Sequence, residues 1–205
     1  DRFRAGVSHY LRTHAYANTE TSDLWDAIEH TSGEPVRRIM DSWIWQPGYP
    51  LVSASVVGDE LVVTQRRFSF DPDDASTALW AIPLSVQQGD RVDAVLLDGD
   101  EIRLPIGNEP VIVNAGGHGF YRVSYSDALR ERLTPVVLAS MSTLERYNLV
   151  DDAWAATVAG DLSATELLPL LEAFGGERDH AVWQAVVIAL RGLSRLLDDG
   201  PAFEA

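Results

Sequence analysis

Apolar residues recur at helical spacing in the first part of the chain. Phe3, Val7, Tyr10 and Leu11 predict a helix from about Phe3 to Ala15, and Asn18-Thr19-Glu20-Thr21 reads as a loop. Ser22 offers an N-cap to a second helix whose apolar face is Leu24, Trp25 and Ile28, and Asp23 and Asp26 favour its positive start. Gly33 suits the position just past its end. Pro35 suits the first turn of a third helix with the stripe Val36, Ile39, Met40 and Trp43. Gln46-Pro47-Gly48-Tyr49-Pro50 ends the helical pattern, because two prolines so close together cannot continue it.

The period then shortens. Leu51–Val57 and Glu60–Phe70, separated by Gly58-Asp59, predict a hairpin. Further strands are predicted over Ala78–Val86, Val92–Leu97, Ile102–Ile106, Val111–Asn114 and Phe120–Tyr125. Pro83, which has no N–H to give to a ladder, puts its strand at an edge or a bulge. Seven short strands separated by turn signals predict a small antiparallel β-sandwich over residues 49–126.

From Ser126 the pattern is helical again. A short helix runs to Leu133, and Thr134-Pro135 starts a second. Leu149–Ala159 forms a third, closed by Gly160. Ser163-Ala164-Thr165-Glu166 is a capping box that opens a fourth, ended by Gly175-Gly176. The last helix spans about Asp179–Leu197, with Gly200-Pro201 as its stop. Such helices suit a bundle or the start of a helical solenoid, although no clean repeat is visible.

Composition narrows the function. The 31 acids against 16 bases, all of them arginine, argue against a nucleic-acid surface and against docking on an anionic membrane. The absence of cysteine excludes disulfides, thiolate metal sites and a cysteine nucleophile. No stretch approaches the roughly 20 apolar residues of a membrane helix. The chain opens Asp1-Arg2-Phe3-Arg4, with neither a methionine nor a signal segment, which reads as a piece of something longer.

Little in the sequence suggests chemistry. His9 and His14 are five apart, about 140° around a helix, and cannot share one metal. His30, His118 and His180 read as surface or helix-end residues. Gly116-Gly117-His118-Gly119 precedes a strand rather than a helix start, so it reads as a hairpin turn and not a phosphate cradle. Asp71, Asp73 and Asp74 lack the glycine and glutamate of a calcium loop. Ser53, Ser55 and Ser124 carry no nucleophile-elbow pattern, and Asp98 and Asp100 simply flank a turn. The six tryptophans read as core. No catalytic, cofactor-binding or metal-binding residue is expected.

The order of the segments is more informative. Phe3-Arg4-Ala5-Gly6-Val7, Tyr10-Leu11, His14, Tyr16, Asn18 and Asp23-Leu24-Trp25 resemble the end of the thermolysin-like catalytic domain of the aminopeptidase N and puromycin-sensitive aminopeptidase family. Trp43 to Val52 is similar to that family's exit into a small sandwich. Gln65-Arg66-Arg67-Phe68 and Gly119-Phe120-Tyr121-Arg122-Val123-Ser124-Tyr125 are similar to sandwich strands. Leu144-Glu145-Arg146, Asp151-Asp152-Ala153-Trp154 and Ala159 to Ser163 resemble the opening of its helical C-terminal domain.

The resemblance implies three parts: 1–48 as the helical end of the catalytic domain, 49–126 as the sandwich, and 127–205 as the truncated start of an all-α, HEAT- or armadillo-like domain. It implies a parent enzyme that uses zinc to remove amino-terminal residues from peptides, in a cytoplasmic setting. The H-E-x-x-H helix, the downstream glutamate ligand, the G-x-M-E-N segment and the transition-state tyrosine of that family are absent here, so this chain is expected to be inactive and to hold no zinc. Faces that normally meet the missing domain, with Trp25, Trp43 or Trp45 exposed, would favour self-association. A free-standing interaction module of strands and helices, without enzymatic activity, is the competing reading.

Overall fold

A computed structural model describes residues 2–197. Its first element, α1 (Arg2–Thr13), lies on α2 (Thr21–Ser32) through Gly6, where a Cβ would stand 2.8 Å from the Ile28 Cα. The start of α2 differs from expectation. Glu20 precedes the first turn, and its N–H donates to the Asp23 carboxylate at 2.8 Å, so Asp23 rather than Ser22 fixes the helix start. Gly33 closes α2 in the left-handed region, φ 73°, donating to the Glu29 carbonyl. The third helix, α3 (Val36–Ile44), follows Pro35 and buries no residue fully.

Three side-chain bonds fasten the end of α3 to the strands. Trp43 Nε1 donates to the Ala81 carbonyl at 3.1 Å, the Ala81 N–H donates to Ser42 Oγ at 3.0 Å, and Gln46 Nε2 donates to the Leu79 carbonyl at 2.7 Å.

Seven strands form two sheets. They are β1 (Pro50–Val57), β2 (Glu60–Arg67), β3 (Ala81–Gln88), β4 (Arg91–Asp98), β5 (Glu101–Pro105), β6 (Val111–Val113) and β7 (Arg122–Tyr125). The four-stranded sheet has the order β5-β2-β1-β7, and the three-stranded sheet β4-β3-β6. The β1–β2 hairpin turns at Gly58-Asp59 as expected, in the register Val57↔Glu60. Strand β2 ends at Arg67 and not at Phe70. Strand β3 begins at Ala81 and not at Ala78, because the Gln65 side chain engages the backbone just before it. Gln65 Oε1 accepts from the Trp80 N–H at 2.9 Å, and its Nε2 donates to the Trp80 and Gly99 carbonyls.

The all-antiparallel expectation fails at one ladder. β1 and β7 are parallel, with Leu51↔Arg122 through Ala54↔Tyr125. The reason lies in the loop before β7. β6 and β7 belong to different sheets, so Gly116–Gly119 is a crossover between sheets and not a hairpin turn. The loop delivers β7 to the end of the sheet where β1 also begins. Pro83 lies in the middle strand of the smaller sheet. However, β6 pairs only with Val86–Gln88, so at Pro83 the strand has a neighbour on one side only.

The helices after β7 are α4 (Asp127–Arg130), α5 (Pro135–Ser140), α6 (Thr143–Ala159), α7 (Ala164–Glu172) and α8 (His180–Leu197). α4 is one turn long and stops before Leu133. α6 starts two turns earlier than its apolar run suggests, because Ser142 and Glu145 form a capping box. The expected box at Ser163 and Glu166 is present. The expected stop at Gly200-Pro201 lies outside the described residues. Both sheets and α4–α8 share one continuous buried cluster, which includes Val52, Leu61, Ile82, Leu97, Leu129 and Val182. No described helix is long and apolar enough to cross a membrane.

Candidate functional site

The most developed polar constellation sits where β7 meets α6. Alternation along β7 turns Val123 and Tyr125 inward and leaves Arg122 half-buried at the sheet margin. Its Nη1 donates to Asp151 Oδ2 at 2.8 Å and to Asp152 Oδ1 at 3.0 Å, and its Nε lies 3.4 Å from the Tyr49 hydroxyl. The guanidinium also rests over the Phe68 ring, 5.1 Å from its centroid. The second Asp152 oxygen accepts from the Val123 N–H at 2.9 Å.

Burial pushes the Asp152 carboxyl up to about 7, against the opposing pull of the Val123 N–H and Arg122. Burial works against the Arg122 charge too, yet the bonds to Asp151 and Tyr49 hold it well above the ordinary arginine value. Burial also raises the Tyr121 and Tyr125 hydroxyls. The Tyr125 hydroxyl accepts from the Val113 N–H at 2.9 Å and lies 3.2 Å from the Val113 carbonyl oxygen, which ties β7 to the other sheet.

The glycine loop docks on the first turn of α6. Asn114 takes the left-handed conformation, φ 67°, and its side-chain amide both accepts from and donates to the backbone of Gly119. One Glu145 oxygen accepts from the Gly116 N–H at 2.7 Å and the other from the Ser142 N–H at 2.6 Å. Burial opposes the Glu145 charge, but these N–H groups hold its carboxyl below the usual range. Asn148 Nδ2 donates to the Gly117 carbonyl at 3.0 Å. The N–H groups of Gly116, Gly117 and Gly119 are thus all used within the protein, to Glu145 and Asn114.

Both Asp152 oxygens in this constellation accept hydrogen bonds, one from Arg122 and one from the Val123 N–H. The constellation is a joint, holding the sheets to the helices through named hydrogen bonds. No spacing rule in the sequence marks it. The available signals were an arginine inside an apolar alternation at Arg122 and an acidic pair inside the apolar run Leu149–Trp154.

The structure scatters the histidines. His9 stacks on His30 of α2, with ring centroids 5.0 Å apart, and His14 lies beside Tyr10. No group of three His, Asp or Glu side chains among the described residues is placed to hold a metal ion, so the residues present do not fit a zinc site. Of the tryptophans expected at exposed faces, Trp45 is exposed, Trp25 is half-buried, and Trp43 is held against Trp80 and Phe120.

Two family models match the chain in succession. Residues 1–43 match the peptidase family M1 domain, and residues 110–205 match the ERAP1-like C-terminal domain. The chain belongs to the M1 aminopeptidase family. Among its relatives, Tricorn protease-interacting factor F2 of Thermoplasma acidophilum is 36% identical over 200 residues, covering 97% of this chain and 25% of the relative. Aminopeptidase M1-B of Oryza sativa is 31% identical over 97% of this chain and 24% of its own length. Glutamyl aminopeptidase of Bitis rhinoceros is 31% identical over 98% and 22%. This M1 segment therefore spans about a quarter of the length of those relatives, and its Arg122 joint lies within the part that matches the C-terminal model.

Proposed function

We propose that this chain is the non-catalytic segment of a zinc-dependent aminopeptidase, joining the catalytic domain to a helical domain and orienting the one over the other. The observation that carries the reading is the order of the two family matches, the M1 domain at 1–43 and the C-terminal domain at 110–205, with β1–β5 between them and both sheets sharing one core with α4–α8. In this reading 1–48 ends the thermolysin-like domain, 49–126 is a β-sandwich spacer, and 127–205 opens a HEAT- or armadillo-like array. The shared core of the two sheets supports the spacer, and the short connections between α6, α7 and α8 support the array.

The role is geometric. A sheet pair tied to α6 through Arg122 with Asp152 and through the glycine loop with Glu145 fixes where the helices stand relative to α1–α3. Helices so placed over a cleft limit substrate size and exclude water. Relatives named as aminopeptidases support peptides as the parent's substrates, and a relative named as an interacting factor supports a protein partner for the assembled enzyme. Zinc, which would polarise the scissile carbonyl and activate water, belongs to residues outside this chain.

The test is direct. The purified 205-residue chain is assayed on aminoacyl-arylamides with and without added zinc, and its metal content is measured. Neither cleavage nor stoichiometric zinc is expected, and robust metal-dependent cleavage would overturn the reading. The coding sequence upstream of Asp1 is expected to encode an H-E-x-x-H motif within a few hundred residues. Its absence would favour a free-standing interaction module.

A further inference from the structure

Among the described residues the two sheets end in four edge strands, and three of the edges are blunted. On β7 the Val123 N–H is taken by Asp152 of α6. β6 is three residues long, and β5 is five and ends at Pro105. Cover, shortness and proline are the usual guards of a sheet edge. β4 has none of them. It runs for eight residues, pairs with β3 without a bulge, and contains no proline.

The other side of β4 is open. On β3, Ala81 and Ser85 turn backbone groups away from β4, to Ser42, Trp43 and Ala115. Backbone groups alternate sides along a strand, so Ile82, Leu84 and Val86 bond to β4, through Leu97, Val95 and Asp93. The N–H and C=O groups of Val92, Ala94 and Leu96 therefore face outward, and none has a protein partner among the described residues. Val92 is 56% exposed.

Charge limits what can pair there. Asp93 is held by Arg91 and Asp98 by Arg38, but Asp90 and Asp100, at the two ends of the strand, meet no cation among the described residues. A second copy of this chain fits poorly. Antiparallel self-pairing about Ala94 or Val95 lets the outward groups meet, but it sets Asp90 opposite Asp98 or Asp100 of the copy, acid against acid. A strand with basic residues at both ends has the complementary charge. Leu96 lies opposite Pro83, and its side chain shares the outer face of the sheet with that of Val92, so apolar residues suit alternate positions of the added strand.

We propose that the free edge of β4 binds an extended peptide segment of a partner protein, basic at both ends, which joins the smaller sheet as a fourth strand.

The 205-residue chain is titrated with a blocked, fluorescent seven-residue peptide that alternates threonine and valine between two terminal lysines. Binding is expected, with about tenfold weaker affinity for the same peptide ending in glutamates. At saturation, hydrogen exchange at the Val92, Ala94 and Leu96 amides is expected to slow at least tenfold. Asp90→Lys/Asp100→Lys should reverse the preference between the two peptides. Ala94→Pro, which removes an outward N–H and leaves the β3 ladder whole, should abolish binding. Should either variant not fold, methylating the peptide's own amides on alternate residues tests the unaltered chain: one set of positions abolishes binding and the other spares it. No binding, equal affinity for the two peptides, or binding without protection of β4 overturns the proposal. Protection that grows with chain concentration in the absence of peptide assigns the edge to a second copy. Binding that is lost in the intact parent polypeptide assigns the edge to the parent's own chain. Both outcomes also overturn it. The proposed function stands in every case, because zinc content and the upstream motif decide it separately.

Discussion

Arg122 on β7 and Asp152 on α6 are thirty positions apart in sequence and 3.0 Å apart in space, and they form the most buried ion pair joining the sheets to the helices. The pair is buried on the Asp152 side and half-buried on the Arg122 side. Removing the cation therefore strands a carboxylate away from water. Arg122→Met is expected to destabilise the chain by about 3 kcal/mol at pH 8, read from urea unfolding. The loss should shrink at pH 5, where Asp152 can take up a proton instead.

The same carboxyl gives a pH dependence with a fixed sign. Burial raises its folded-state pKa from 3.8 to about 7. The folded state therefore holds the proton more tightly than the unfolded state. Stability from this group is full below pH 4 and is lost as pH rises through 7. Asp152→Asn is expected to flatten that slope between pH 4 and 8. Glu177 acts in the opposite sense. Hydrogen-bonded by Arg146 at 2.6 Å, its carboxyl is held down at about 2, so its contribution is present above 4.5 and is lost as pH falls through 2. Unfolding curves of Glu177→Gln and Asp152→Asn across this range separate the two.

Glu145 satisfies two backbone donors with its two oxygens. Glu145→Ala should cost about 2 kcal/mol, since both the α6 cap and the glycine loop lose their acceptor. Glu145→Gln should also be destabilising, because an amide NH2 would face one of the two N–H groups. Faster exchange of the Gly116 and Ser142 amides is the specific check.

Gly192 on α8 lies against Trp154 of α6, and an added Cβ would fall 2.2 Å from the indole ring. Helix propensity alone favours alanine there by about 1 kcal/mol. Packing should win, and Gly192→Ala is expected to destabilise by about 1–3 kcal/mol. In a double-mutant cycle with Trp154→Leu, the alanine should become neutral or stabilising.

Local grammar was readable in the sequence wherever neighbours decide the outcome. The Gly33 stop, the Ser163–Glu166 box and the Gly58-Asp59 hairpin each depend on residues a few positions apart. The Ser142–Glu145 box was equally readable and gives the true start of α6, but the apolar run beginning at Leu149 obscures it. Glu20 heads α2 because Asp23 reaches back, although glutamate is not a preferred capping residue. The joint was beyond reach for a different reason. Arg122 with Asp152, Tyr125 with Val113 and Gln65 with Trp80 are all made by side chains that the fold brings together, and no spacing rule encodes them. The parallel β1–β7 ladder depends on which sheet each strand joins, and turn signals do not specify that.

That ladder also sets how the chain would bear force. Tension applied between α1 and α8 enters β1 at Pro50 and leaves β7 at Tyr125, and the two strands lie side by side in parallel. Their hydrogen bonds are then loaded in shear, all at once, rather than unzipped one by one. The ties from α3 to Ala81 and from Tyr125 to Val113 bring β3 and β6 into the load path beside them, whereas the Gly58-Asp59 turn of the β1–β2 hairpin lies outside it and would take an insertion at little cost to that connection.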